Sequence, residues 1–416
     1  MSFSIATAAQ QAKKASRQVA NLTALQKDQL LLDIAAELLA NSAQILVANE
    51  KDLDAGKKAG LDAAMLDRLA LDPQRIKGIS DAVVEIAGQT DPVGSIANIQ
   101  RMPSGIQVGK MRIPLGVIAM IYESRPNVTI DAAALCLKAG NAVILRGGKE
   151  AIHSNLALAK CIEIALAKQQ LDPAAVVVVP DPNRAVMNEL MTLNESIDLI
   201  IPRGGEGLIR FVSENSRIPV IQHFKGVCHL YVDSAADENK ALDLLKNGKT
   251  QRTGVCNSLE TLLVHQDIAA SFLPKAATLL GEFNTLIHAC EQSIGYYEGA
   301  QLATEADWHA EYLAMEIAIR VVDDFDAAIT HIEEYGSGHT EVIASQDYSK
   351  TQAFIRRVDS AVVMANASSR FSDGGQLGLG AEIGISTSKL HAYGPMGAES
   401  LTTEKFIVMG DGEVRD

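Results

Sequence analysis

The fold is decided by residues 117–149, which read VIAMIYESRPNVTIDAAALCLKAGNAVILRGGK. Two continuously apolar runs, Val117–Ile121 and Ala142–Leu145, flank a stretch with helical spacing, Val128–Lys138. Apolar runs that do not alternate with polar residues are typical of strands in a parallel sheet covered by helices on both faces. The stretch therefore predicts a strand–helix–strand unit of a doubly wound α/β domain.

The alternation of strands and helices continues along the chain. Further strands are predicted at Val176–Val179 and Ile197–Ile201, and a second series of strands and helices begins near Val227. Two series of this kind predict two doubly wound α/β domains.

Helical spacing dominates residues 1–90, where Thr23 is the expected N-cap of a helix. Ser154 is expected to cap the helix that follows the second strand of the first series. These two residues predict where helices begin.

A β-hairpin and a terminal strand complete the predicted architecture. Residues 96–115 alternate between apolar and polar side chains around a turn signal at 103–105, which is typical of a hairpin. Lys405–Met409 forms a last strand after the glycine-dense stretch Phe371–Glu399. The sequence thus predicts two α/β domains with a projecting hairpin and tail.

Composition restricts the classes of function. The 416 residues are 47% apolar and 21% charged, as in globular proteins, and the formal net charge of −14 argues against a general affinity for nucleic acid or anionic membrane. No apolar run reaches the ~18 residues of a membrane span. The five cysteines lack the spacing of a disulfide framework or a zinc site: Cys136, Cys161, Cys228, Cys256 and Cys290. We expect a cytoplasmic protein in which a few local cations hold any anionic ligand.

The candidate nucleophile is Cys256, which lies in a glycine-containing turn between a predicted helix and a predicted strand. A reactive thiolate needs exposure and a local positive field, and Lys249 and Arg252 are close in sequence. A small buried structural cysteine is the alternative interpretation of Cys256 itself and of the other four cysteines.

Two turns that follow strands of the first series carry candidate binding groups. After the first strand, Arg125 could contact an anion, while Ser124 or Asn127 could cap a helix or donate to a developing oxyanion. After the second strand, Arg146–Lys149 places two cations and two glycines at the carboxyl edge, where doubly wound sheets bind ligands. This turn predicts a phosphate contact or a solvated loop.

Two other motifs are weak. The glycines of Gly378–Gly384 are spaced one residue too widely for a dinucleotide fingerprint and do not open the first strand–helix unit. His331 and His339 lie eight residues apart, which is not a standard spacing of metal ligands. We therefore expect no metal site.

Several of these residues occur together in the order seen in aldehyde dehydrogenases, which the chain resembles over nearly its full length. Within that superfamily, the run Val322–Ile343 looks like the signature of the γ-glutamyl phosphate reductase family, the glutamate-5-semialdehyde dehydrogenases of proline biosynthesis. The shared elements are Cys256 after Thr253-Gly254-Val255, the turn Arg125-Pro126-Asn127, Arg146, Gly204-Gly205 and Glu316-Ile317.

This resemblance implies a thioester mechanism. Cys256 would form a thioester with the γ-glutamyl group, and NADPH would reduce it to glutamate 5-semialdehyde. Asn127, with the backbone N–H of Cys256, would form the oxyanion hole, and Ser124 is an alternative because the family's turn is not preserved letter for letter.

The resemblance also implies the NADP contacts. Arg146 would lie near the adenosine ribose, and Lys149 would add charge for the 2′-phosphate. Gly204 and Gly205 would line the pyrophosphate, and Glu316 would hold the nicotinamide ribose.

One departure from the superfamily favours acyl-phosphate chemistry. Hydrolytic members carry a Glu-Leu-Gly-Gly element whose glutamate activates water, whereas this chain reads His223-Phe224-Lys225-Gly226 at the corresponding place. A general base for water would waste the thioester by hydrolysis. Lys225, Arg125 or Arg252 could face the phosphate, and the expected substrate contacts are Arg125, Lys225, Arg252, Asn257 and His339.

The resemblance assigns roles to the predicted domains. Residues 1–95 and 116–226 would bind NADP, with 371–400 returning to that domain, and 227–370 would carry the nucleophile. Residues 96–115 and 401–416 would form an oligomerisation element, because unpaired strand edges need a partner.

Two alternatives remain open. A CoA-acylating or other aldehyde dehydrogenase would use the same cysteine with another acyl acceptor. A catalytically silent nucleotide-binding scaffold that partners glutamate 5-kinase would keep the fold without the reaction.

Overall fold

The computed structural model describes residues 3–222 and 224–415. Its α-helices, in chain order, are α1 Ile5–Val19, α2 Ala24–Ala40, α3 Ser42–Lys58, α4 Ala63–Leu69, α5 Pro73–Ala87, α6 Asn127–Lys138, α7 Ile152–Lys168, α8 Arg184–Leu190, α9 Glu206–Asn215, α10 Glu238–Thr250, α11 Gln266–Glu282, α12 Glu305–Trp308, α13 Phe325–Tyr335 and α14 Tyr348–Arg357. Its strands are β1 Ile96–Arg101, β2 Gln107–Pro114, β3 Val117–Tyr122, β4 Ala142–Arg146, β5 Val176–Val178, β6 Leu199–Arg203, β7 Cys228–Val232, β8 Leu259–His265, β9 Leu286–Ala289, β10 Gln301–Leu302, β11 Glu316–Val322, β12 Thr340–Ala344, β13 Val362–Ala365, β14 Gly384–Ser386, β15 Gly394–Met396 and β16 Thr402–Met409.

The first compact unit comprises residues 1–222, 379–384 and 396–416. Its parallel sheet has the strand order β5-β4-β3-β6. Every residue of β3 is buried, because this central strand is covered on both faces. The strand–helix–strand unit predicted from residues 117–149 is confirmed.

The second compact unit comprises residues 223–378 and 385–395. Its seven strands are all parallel, in the order β10-β9-β11-β8-β7-β12-β13. Helices α10 and α11 pack on one apolar core of this sheet, and α13 and α14 pack on another. The second doubly wound α/β series is thus confirmed.

The predicted hairpin and tail form a separate antiparallel sheet. Strand β2 pairs with β1 on one side and with β16 on the other. Apolar side chains remain exposed on both outer strands, including Ile99 on β1 and Phe406 on β16. The hairpin and the terminal strand are confirmed.

The compact units divide the chain somewhat differently from the predicted domains. The first unit's main segment ends at Gln222 rather than at 226, and residues 371–378 and 385–395 belong to the second unit. Ser372 shows the reason, because its carbonyl accepts the Asn257 amide at 2.9 Å and its hydroxyl accepts the Thr340 hydroxyl at 2.8 Å.

Among residues 3–222 and 224–415, no single helix has both the length and the apolar character of a membrane span. The bent pair α2 and α3 meets that test by length and composition alone.

The N-terminus of α7 is capped by a residue from another helix. Thr23 caps α2 through a reciprocal capping box, as predicted. The expectation for Ser154 is wrong, because α7 already begins at Ile152. Instead, the buried carboxylate of Asp52 on α3 accepts the backbone N–H groups of His153 and Ser154, at 3.2 and 2.7 Å. It also accepts the Ser154 hydroxyl at 2.6 Å.

Replacing Asp52 by Ala is expected to lower the free energy of unfolding by about 1–3 kcal/mol, because buried donors lose their acceptor. Denaturant unfolding followed by circular dichroism measures this loss. Asp62→Ala is the control, since the exposed Asp62 caps α4 through the Met65 N–H, and it should cost about 1 kcal/mol or less. Equal losses in the two variants would contradict the buried cap.

Candidate active site

Residues 253–258, which carry the predicted nucleophile Cys256 and are called the nucleophile loop below, lie at the amino edge of the seven-stranded sheet. Cys256 precedes the first residue of β8, Leu259, which pairs with Cys228 at the start of β7. Backbone hydrogen bonds fold the loop on itself, from Val255 N–H to Thr253 and from Ser258 N–H to Val255. Cys256 is partly exposed, whereas the next two residues are buried. Cys256 is therefore accessible, while the residues that follow it are anchored in the protein interior.

The chain segment before β7 supports the backbone of Cys256 from behind. The Cys228 thiol donates to the Cys256 carbonyl at 3.1 Å, and burial raises the pKa of Cys228 so that it stays a thiol. A Cβ at Gly226 would lie 2.1 Å from the same carbonyl oxygen. The Gly226 N–H is itself fixed by Glu311 Oε1 at 2.9 Å. Only glycine allows this approach without displacing the loop.

Two predicted substrate contacts are buried residues that hold neighbouring chain segments together. His339 has no exposed surface, and its Nδ1 lies 2.8 Å from Thr340 Oγ1 and 3.8 Å from Cys228 Sγ. Asn257 is 6% exposed and donates its amide to the Ser372 carbonyl. Both side chains are buried in this structure, and direct contact with the substrate stays a prediction. They hold the nucleophile loop and its neighbouring strands.

A buried ion pair anchors the helix that leads into the loop. Lys249 Nζ at the end of α10 lies 2.7 Å from Glu260 Oε2 on β8, and neither side chain is exposed. The other Glu260 oxygen accepts the Leu313 N–H at 3.3 Å. Burial raises the pKa of Glu260 to about 7 against the opposing effect of Lys249. Because Lys249 is committed to this carboxylate, it is not the source of a positive field on the thiol.

Two arginines, Arg252 and Arg370, supply positive charge beside the loop. Arg252 is exposed, and a third cation, Lys225, is half-buried. Burial lowers the pKa of Arg370, and repulsion from Arg252 adds to this effect, while Asp373 and Cys256 oppose it, so these groups are electrostatic neighbours.

Arg370 borders a cavity of about 310 Å³ and donates from Nε to Gln251 at 2.8 Å. The sequence analysis missed Arg370, because it follows an ordinary loop far along the chain from the cysteine. The remaining residues lining the cavity are Asn247, Phe371, Asp373 and Gln376.

Glu316 lies at the same amino edge, as the first residue of β11. Its Oε1 is 2.6 Å from His288 Nε2, and the other nitrogen of that ring is 3.1 Å from Asp307. The ring of His288 stacks on Tyr312 with centroids 5.2 Å apart. This network orients the Glu316 carboxylate.

In the first unit, the predicted turns gather at the carboxyl edge of the four-stranded sheet. Ser124 donates its N–H and its hydroxyl to Glu150 Oε1, at 2.9 and 2.5 Å, which joins the turn after β3 to the segment after β4. Although burial opposes it, these hydrogen bonds lower the pKa of Glu150. Glu123 Oε2 accepts the Gly205 N–H at 3.1 Å, which joins the same turn to the start of α9. Sequence reasoning did not single out Glu123 or Glu150.

Asn127 is the first residue of α6, and its amide donates to Asp131 one turn later at 2.9 Å. Burial raises the pKa of Asp131 to about 6. This hydrogen bond fixes the orientation of the amide. Ser124 is buried, and its hydroxyl is already engaged with Glu150. Of the two predicted oxyanion donors, the structure leaves Asn127 the more accessible.

The other predicted cofactor residues line this same edge. Arg146 ends β4 and donates to the Pro182 carbonyl at 2.7 Å, while its buried Nε has no partner in the described chain. Lys149, Gly204 and Gly205 are exposed, as is Arg125. The edge thus combines exposed cations with glycine backbone at a helix N-terminus, features suited to a phosphate-bearing ligand, while the Gly205 N–H itself is held by Glu123.

Comparisons with known proteins agree with this architecture. The aldehyde dehydrogenase family model matches residues 3–286. A γ-glutamyl phosphate reductase of Colwellia psychrerythraea is 61% identical over 99% of both chains, and that of Idiomarina loihiensis is 58% identical over 98% of both.

The chain belongs to the γ-glutamyl phosphate reductase family.

The crystal structure of the Thermotoga maritima γ-glutamyl phosphate reductase is 40% identical, with a TM-score of 0.97 over 99% of this chain and 100% of that one. An acetylating aldehyde dehydrogenase from Geobacillus thermoglucosidasius, at 17% identity and a TM-score of 0.69, shares the fold. The family and the aldehyde-dehydrogenase-like fold expected from the sequence are therefore confirmed.

The carboxylates that neighbour the nucleophile loop in this family member are already engaged. Glu311 accepts the Gly226 N–H, Glu260 pairs with Lys249, and Glu341 lies 2.8 Å from His229 Nδ1. Phe224–Gly226 supplies no carboxylate, and His223 lies outside the described residues. A water molecule at the thioester would find no ready general base among these groups.

Gly226→Ala is expected to lower turnover by about 10²-fold and to slow alkylation of Cys256, because the methyl group would displace the backbone of the nucleophile. Rates of labelling by a thiol reagent, located by mass spectrometry, measure the displacement. Gly254→Ala is the matched control in the loop itself, since a Cβ there meets nothing within 4 Å. Equal labelling of Cys256 in the two variants would show that the Gly226 contact does not position the thiol.

Proposed function

We propose that the chain catalyses the NADPH-dependent reduction of L-glutamyl 5-phosphate to L-glutamate 5-semialdehyde and phosphate, in proline biosynthesis. The observation that carries this proposal is a partly exposed cysteine in an anchored loop beside two arginines, where Glu311, Glu260 and Glu341 are each held by a hydrogen bond or an ion pair. The names of the full-length relatives support the same reaction.

Cys256 is the nucleophile of this proposal. Its sulfur attacks the acyl carbon, the C–O bond to the phosphoryl group breaks, and inorganic phosphate leaves with the electron pair. When bound, a nicotinamide cofactor would supply the hydride that reduces the thioester carbonyl carbon. Cys256 holds the resulting thiohemiacetal until the C–S bond breaks and releases the aldehyde. In each step, negative charge develops on the carbonyl oxygen.

Asn127 is the proposed donor to that oxygen, together with the backbone N–H of Cys256. The hydrogen bond to Asp131 supports this role because it orients the amide before substrate binds. A donor that is already oriented stabilises the transition state without reorganising.

Arg252 and Arg370 form the proposed phosphate site, with Lys225 and Arg125 as further candidates. In a chain with a net charge of −14, two neighbouring guanidinium groups are a strong local feature. Guanidinium donors match the geometry of phosphate oxygens, and their charge favours departure of the phosphate. Arg370 is held in place by Gln251.

NADP binding is proposed for the carboxyl edge of the four-stranded sheet. Arg146 and Lys149 would contact the ribose and its 2′-phosphate, and Gly204 and Gly205 would approach the pyrophosphate. The unpartnered Nε of Arg146 and the exposed glycine backbone fit such a ligand. Glu316 would hold the nicotinamide ribose.

We also propose a homo-oligomer assembled through the three-stranded sheet. In the described part of the chain, no further strand pairs with the outer edges of β1 and β16, which also expose apolar side chains, and such edges are usually covered by a partner.

Cys256→Ala is expected to abolish the reduction of NADP that depends on semialdehyde and phosphate, by about 10³-fold or more, because no thioester can form. Absorbance of NADPH measures the rate, and an unchanged unfolding curve shows that the fold is intact. Cys290→Ala is the control, since it removes another partly exposed thiol. Retained activity in Cys256→Ala would overturn the assignment of Cys256 as the nucleophile. In the unaltered protein, a preference for CoA over phosphate as acyl acceptor would favour the CoA-acylating alternative.

Arg370→Ala is expected to raise the KM for phosphate at least tenfold in the semialdehyde-oxidising direction, because a charge-assisted contact is lost. The kcat should change less, and Arg370→Lys should restore part of the affinity. Arg356→Ala is the charge-matched control on the exposed side of α14. An equal change in KM for both alanine variants would exclude a local phosphate contact.

A further inference from the structure

A second cavity lies in the second unit, at the edge of the seven-stranded sheet opposite the nucleophile loop. Its volume is about 550 Å³. It opens beyond the carboxyl ends of β9 and β11, the edge at which parallel α/β sheets commonly bind ligands. The residues lining it are Cys290, Glu291, Gln292, Leu302, Ala303, Trp308, Arg320, Val321, Val322, Asp323 and Ala327.

The length of the strands separates this cavity from Cys256. Strand β11 begins at Glu316, level with the start of β8, and ends at Val322 beside the cavity. Seven residues of strand span roughly 20 Å at 3.3 Å per residue. A ligand in the cavity would therefore not touch Cys256.

Arg320 is the cation of the cavity, and its neighbours hold it without neutralising it. Its Nη1 lies 2.8 Å from His331 Nδ1, and its guanidinium lies 5.5 Å from the centre of the Trp308 ring. Burial lowers the pKa of His331 to about 2, with His229 and Arg320 adding to the effect, so the imidazole is a neutral acceptor. Tyr335 also forms a hydrogen bond with Arg320 and donates its hydroxyl to Glu305 at 2.7 Å, and among residues 3–222 and 224–415 no carboxylate forms a direct ion pair with Arg320.

Carboxylates occur at the rim of the same cavity. Glu291 and Asp323 are both exposed, and the neutral amide side chain of Gln292 also lines the cavity. Leu302 and Val322 supply apolar wall. Two carboxylates would repel a phosphate or another dianion, whereas a ligand that carries both charges would match the cavity.

We propose that this cavity binds a free α-amino acid as a regulatory or accessory ligand, with its carboxylate on Arg320 and its ammonium group on Asp323 or Glu291. Arg320 offers several donors from a fixed plane, which suits a carboxylate. The apolar wall would contact the side chain of the amino acid. This site is independent of the proposed reaction.

The chain itself contains a reporter for this site. Trp308 is its single tryptophan, and the ring lies against Arg320 in the cavity wall. Intrinsic fluorescence of the full-length protein, titrated with each free L-amino acid, is expected to change in a saturable way for at least one of them. Acetate and methylammonium, which carry one charge each, are expected to cause no change at the same concentrations.

Variants decide whether the signal comes from the cavity. Arg320→Gln is expected to weaken binding of the responding amino acid at least tenfold, and Arg320→Lys less, while basal turnover stays unchanged. Because Arg320→Gln could disturb Trp308, Asp323→Asn at the exposed rim provides a second test with an expected loss of at least threefold. Arg370→Ala should leave the affinity unchanged, which distinguishes the cavity from the proposed active site.

The proposal would be overturned by several outcomes. No saturable response to any amino acid up to 10 mM, a concentration on the order of cellular pools, would exclude the ligand class. Binding that is insensitive to both Arg320→Gln and Asp323→Asn would place the ligand elsewhere. A response to acetate equal to that of the amino acid would show an anion site rather than an amino-acid site.

Discussion

The close approach of Gly226 to the backbone of Cys256 is the contact on which the proposed chemistry depends. At 2.1 Å from the Cys256 carbonyl oxygen, the position of a Cβ is already occupied, so the two chain segments meet main chain to main chain. Glu311 fixes Gly226 from one side, and the Cys228 thiol fixes the carbonyl from the other. Glu311 and the Cys228 thiol are therefore engaged in holding the backbone around Cys256. A carboxylate that accepts a backbone N–H is a poor base for water.

The two edges of the seven-stranded sheet have different physical characters. The amino edge carries the nucleophile on buried polar supports, including the Lys249–Glu260 pair, whose charges are satisfied by each other. The carboxyl edge carries an open cavity with an arginine that no carboxylate of the described chain neutralises. A buried ion pair whose charges neutralise each other keeps neighbouring segments in position, whereas an unneutralised charge in an open cavity favours a ligand.

Sequence reasoning identified the candidate site better than it identified the role of each member. Cys256, Arg252 and the turns after β3, β4 and β6 could be recognised because glycines, cations and a cysteine at strand ends have local signatures. Arg370 has no such signature, and the burial of His339 and Asn257, two predicted substrate contacts, could not be read from the sequence. Their roles depend on which residues meet in space, and a single sequence does not contain that information.

By itself, the sequence determined the two α/β series, the hairpin and the family, and it proposed Cys256 as the nucleophile, because hydrophobic periodicity and short motifs are local properties. Only the tertiary structure decided that Asp52 caps α7, that Lys249 is neutralised by Glu260, and that a charged cavity faces away from the nucleophile. These features join residues that are distant along the chain. Burial and electrostatic pairing follow from three-dimensional distance, which the order of residues does not specify.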